Sequence, residues 1–129
     1  MRLLMNIDDE KIKDKLFKNG LDAFQEHQFY DAHEYWEDLW SDYRLVDAKF
    51  IQGLIQLAVG YFHISNDNKN GARGLFNKCI PKLIEYRPEY RGIDIENILL
   101  GIDNALEFLS KNNSMKDFDW KLVPILLKE

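Results

Sequence analysis

A chain of 129 residues, 46% hydrophobic and 30% charged, is sized for one modest core and too apolar for disorder. Its formal net charge of -5, with no basic stripe among its lysines and arginines, argues against nucleic acid as a partner. The lone Cys79 excludes an internal disulfide, and no stretch is long and apolar enough to span a membrane. The opening MRLLMNIDDEK holds an apolar run too short for a signal peptide, so cytoplasm is the expected location.

Helical periodicity dominates from there on, and one all-α domain over residues 1–129 is expected, a compact bundle of about five antiparallel helices. Ile12, Leu16, Phe17, Ala23 and Phe24 recur at three and four, which predicts a first helix over residues 9–27. After a turn at Gln28, a second helix over 29–43 carries the stripe Ala32, Trp36, Leu39, Trp40 and Tyr43. The third, over 47–65, is apolar nearly all round and is the most buried element. NDNKNG breaks the chain, and a fourth helix over 71–86 follows, kinked by Pro81, with Cys79 on its apolar side as a small buried hydrophobe. RPEYRGID reads as a loop without strands. Asp94 then caps a fifth helix with the core face Ile95, Ile98, Leu99, Ile102, Ala105, Leu106 and Leu109. The tail FDWKLVPILLKE is apolar enough to pack back as a short helix interrupted at Pro124.

A shift of forty residues aligns Gly20 with Gly60, Phe17 with Leu57, Ala32 with Ala72, Trp36 with Phe76 and Trp40 with Ile80. This is similar to the tetratricopeptide helical hairpin, although its period exceeds the usual ~34 residues. Two ordinary antiparallel hairpins in a bundle are the alternative.

The chemistry concentrates in DAHEYWEDLW, residues 31–40. His33 and Glu37 lie within about 40° of each other on a helical wheel, with Trp40 beside them, at the border of the apolar stripe. The third helix gathers Lys49, Gln52, Gln56 and His63 on one side, together with Gly53 and Gly60, where a second helix gains close approach. Buried glutamines and histidine without partners cost roughly 1–3 kcal/mol each, so one cluster is expected, in which His33 and Glu37 face Gln52, Gln56 and His63, with Arg73 joining from the fourth helix. Three readings follow: a structural network that sets helix register, a pocket for a small molecule or anion, and a metal or catalytic centre. HEYWE has a glutamate where the HExxH zinc signature needs its second histidine.

FYDAHEYWEDLW followed by FIQGLIQLAVGYFHISNDNKNGARGLF resembles the uncharacterised family called domain of unknown function 309. The residues that carry the resemblance are His33, Glu34, Glu37 and Trp40, then Gln52, Gly53, Leu54, Ile55 and Gln56, then His63, then Gly71, Ala72 and Arg73, over about residues 14 to 83. The resemblance implies a compact helical bundle and no established activity. The leading expectation is a binding or interaction module for a small molecule or protein, with His33, Glu34, Glu37, Trp40, Gln52, Gln56, His63 and Arg73 as ligand-binding candidates. No metal, cofactor, nucleic-acid or membrane partner is expected. Tyr90 and Trp120 are open to packing within the chain or across a homodimer. The alternative is a small metal-assisted hydrolase using His33, Glu37 and His63.

Overall fold

Apolar residues spaced at three and four can be buried only by stacking helix on helix, and that is what a computed structural model of the chain displays. Its backbone is described for residues 2–128 and its side chains for residues 8–128. Helix α1 spans Arg2–Gln25, α2 Phe29–Asp42, α3 Ala48–Ser65, α4 Lys69–Leu83 and α5 Ile95–Lys111. The molecule is an all-α bundle. Consecutive helices are joined by short links and pack as neighbours, α1 on α2, α2 on α3 and α3 on α4, while α5 touches α4 more lightly.

The forty-residue shift is structural. Trp36 of α2 packs onto Gly20 of α1, and Phe76 of α4 packs onto Gly60 of α3, with Phe76 Cε1 2.6 Å from where a Gly60 Cβ would stand. The two turns also match atom for atom. His27 (φ 60°) and Asp67 (φ 55°) adopt the left-handed conformation. Gln28 N donates to Ala23 O and Asn68 N to His63 O, both at 2.8 Å. Ala32 and Ala72, which pack without any exposure, donate to the residue 28 and 68 carbonyls, both at 3.0 Å. The α1–α2 and α3–α4 hairpins thus share one turn geometry and one glycine–aromatic contact.

The core runs along α3, whose Phe50, Leu54, Leu57 and Tyr61 are wholly buried, with Phe24, Trp36 and Phe76 closing round them. Cys79 lies in the same core, as its apolar neighbours required. Asp94 caps α5 by accepting from Asn97 N at 3.0 Å, and Asn68 caps α4 by accepting from Gly71 N at 2.9 Å, which starts α4 two residues earlier than its periodicity indicates. Pro81 sits inside α4, and the α-helix ends at Leu83 in a 3-10 turn over Ile84–Tyr86.

Two expectations need correction. RPEYRGID contains a small hairpin, β1 (Glu89–Tyr90) against β2 (Ile93–Asp94), turned by Arg91 (φ 50°) and Gly92 (φ 73°). Two positive φ values make the tight turn that suits strand twist. The tail is not an interrupted helix. After a 3-10 turn at Trp120–Leu122 it runs extended across the hairpin, with Lys128 N donating to Gly92 O and Asp94 N to Leu126 O, both at 2.8 Å. Gln25 ties it back to α1 through Leu126 N at 2.6 Å. Tyr90 and Trp120 both pack within the chain, Tyr90 on Phe50 and Tyr86, and Trp120 on Phe29 and Phe118.

Candidate functional site

Gly53 and Gly60 of α3 meet Leu83 and Phe76 of α4, so that side of α3 belongs to α4. Phe62 meets the Tyr30 ring of α2 at 5.3 Å between centroids, so the opposite side belongs to α2. Gln52, Gln56, Val59 and His63 fall on the stripe between, all half-buried. They form a half-buried stripe of α3 between the sides that meet α2 and α4. On α2, the His33 ring lies tilted beside that of Tyr30, with centroids 5.1 Å apart, and His33 and Glu37 are half-buried.

No hydrogen bond joins His33 or Glu37 to Gln52, Gln56 or His63. His33 Nδ1 donates to Tyr30 O of its own helix at 3.1 Å, which leaves Nε2 free to meet a partner from outside the helix. His63 Nδ1 accepts from Asn68 Nδ2 at 3.3 Å, so its Nε2 carries the proton. Gln56 Oε1 is buried and has no donor among the described residues. Glu34, Glu37, Trp40 and Gln52 enter no side-chain hydrogen bond or ion pair with another described residue, and Glu34 and Trp40 point outward. The connected network inferred from helix spacing therefore requires correction to a row of separate polar groups. The reason is depth: apart from the buried Gln56 Oε1, the groups border the core at the surface, where water competes with protein partners.

Arg73 does not join the row. Its Nη1 donates to Asn70 Oδ1 at 3.2 Å. It shares a face of α4 with Lys69, which reaches Asn113 after α5, and with Ile80 and Ile84, which border Leu99 of α5. The metal arrangement is also unassembled: among the described residues, no three His, Cys, Asp or Glu side chains gather closely enough to hold a metal ion. His33, Glu37 and His63 are accordingly not a ligand set.

A buried charge pair escaped notice in the sequence. Asp47, at the start of α3, keeps only 5% of its side chain exposed and accepts both forks of Arg91 at 2.7 and 3.1 Å. The Arg91 guanidinium also lies 4.7 Å over the Phe17 ring. Burial, reinforced by the Asp47 charge, raises the Tyr90 hydroxyl above its ordinary value. No local signal marks the pair in the sequence, since Arg91 is forty-four residues away in the chain.

No curated protein matches the chain. Residues 17–75 match the family model described as Domain of unknown function (DUF309). That segment runs from Phe17 under Arg91, through the whole polar stripe of α3, to Leu75 in mid-α4, and it contains every candidate residue named above. The likeness of the chain to the domain of unknown function 309 family rests on these residues.

Proposed function

We propose that this chain is a cytoplasmic binding module whose ligand lies along the half-buried stripe of α3. The observation that carries this reading is Gln56 Oε1, buried without a donor beside other unspent polar groups, Gln52, Glu37 and His33 Nε2. A structural lock would spend these groups on one another, because each unmade bond to a buried acceptor is costly. A ligand that offers N–H donors satisfies them instead. The α2 segment favours a cationic one: it carries Asp31, Glu34, Glu37, Asp38 and Asp42 and no lysine or arginine, with Tyr30, Tyr35 and Trp40 exposed along it. The ligand class is a small amine or guanidinium compound, or a short basic peptide segment.

The test is backbone-amide NMR of the intact chain titrated with arginine-containing and lysine-containing dipeptides, with acidic dipeptides as controls. Shifts confined to residues around His33, Glu37, Gln52 and Gln56, and absent in Glu37→Gln, are expected. Equal response to acidic dipeptides, or shifts centred elsewhere, would refute the reading.

A further inference from the structure

Four of the large hydrophobic side chains left in solvent line adjoining clefts between α4, α5 and the tail. Leu100 of α5 is 59% exposed, Ile125 60%, Leu127 49% and Ile84 43%. They connect three adjoining clefts. One, of about 360 Å³, lies between the end of α4 and α5 and holds Ile84 and Leu100. A second, of about 260 Å³, shares Leu100 and holds Ile125. The third, of about 350 Å³, shares Ile125 and holds Leu127. An apolar ridge running through clefts and rimmed by charges is how a protein–protein interface looks, whereas isolated exposed hydrophobics are ordinary.

The rim indicates the occupant. Arg87 and Glu96 are already bound to each other by two hydrogen bonds, at 2.7 and 2.8 Å. Asp103 on the α4 flank of Leu100 and Lys121 on the tail flank enter no ion pair among the described residues. One flank is thus left with an uncompensated negative charge and the other with a positive one. We propose that this surface pairs two copies of the chain about a two-fold axis running along α5. That rotation exchanges the flanks: it sets Asp103 of each copy against Lys121 of its partner, and brings the two exposed Leu100 side chains together near the axis. The surface complements itself in charge, as an isologous interface must. It shares no residue with the ligand site proposed over α3.

Sedimentation equilibrium of the intact chain from micromolar to millimolar concentration tests it, with circular dichroism melts to show that each variant folds. A monomer–dimer equilibrium is expected, with Leu100→Asp raising the dissociation constant at least about tenfold. Asp103→Lys and Lys121→Glu should each weaken the dimer, and the double variant should recover most of the loss. A wild-type chain that stays monomeric throughout overturns the proposal, even if a different protein binds this surface. A dimer indifferent to Leu100→Asp overturns it as well, as does a double variant no tighter than its singles.

Discussion

Trp36 lays its indole across Gly20 and fills the space that any side chain there would need, while its Nε1 donates to Phe17 O at 3.2 Å. Phe76 does the same at Gly60. Alanine in a helix is worth about 1 kcal/mol over glycine. Here the gain is outweighed, because a fully buried Trp36 or Phe76 must move in a close-packed core. Gly20→Ala and Gly60→Ala should each lose about 1–3 kcal/mol in urea unfolding. Gly74→Ala, where a Cβ meets nothing within 4 Å, should gain up to about 1 kcal/mol. Stabilisation at Gly20 or Gly60 would contradict the packing.

The Asp47–Arg91 pair holds the β hairpin to the start of α3. Removing Arg91 strands a buried carboxylate, so Arg91→Ala should cost about 2–4 kcal/mol in chemical denaturation. Asp47→Ala combined with Arg91→Ala should cost less than the two single losses added together. Additive losses would mean that the two side chains do not act on each other.

Tyr61 has no exposure, and its hydroxyl has no donor or acceptor partner among the described residues. Burial, and then the neighbouring Cys79, raise its ionisation above the usual tyrosine value. Tyr61→Phe removes the unsatisfied oxygen and keeps the ring that meets Phe24, Phe29 and Phe76. The variant should be neutral or more stable by about 1 kcal/mol. A loss above about 1 kcal/mol, read from the urea midpoint, would mean that the hydroxyl is hydrogen-bonded in solution.

Burial also pushes the Cys79 thiol up to about 12, against a weaker opposing pull from Lys82. The folded chain therefore holds the thiol neutral, while an unfolded cysteine ionises near about 8.5. Its contribution to stability is complete below that unfolded value and declines as pH rises above it. Between about pH 8 and 10 the urea midpoint should fall, and Cys79→Ala should reduce the slope. A colorimetric disulfide reagent should react with the native thiol only at the rate of unfolding. Immediate reaction in the native protein would place Cys79 at the surface.

The repeated hairpin was legible in the residues because its cause is local. Gly20 and Trp36, like Gly60 and Phe76, sit at matching positions on adjacent antiparallel helices, so periodicity alone brings them together. Asp94 as a cap and the buried stripe of α5 follow from spacing in the same way. The polar stripe was half legible. A helical wheel tells which side of α3 bears Gln52, Gln56 and His63, but not how deep that side lies, and depth decides whether polar groups must bond to each other or remain available. Arg73 shows the same limit, since the side of α4 that it occupies has meaning only once α5 has packed there. The Arg91–Gly92 turn joins strands of two residues each, too short for any alternation to register. The Asp47–Arg91 pair and the Gln25 clasp on the tail span 44 and 101 residues of chain. Local propensity determined the helices and the pairing of each hairpin, because those contacts lie close along the chain. Contacts between distant segments carry no spacing signal, so only the assembled tertiary structure decided which charge is buried, which edge is sealed and which polar row stays open.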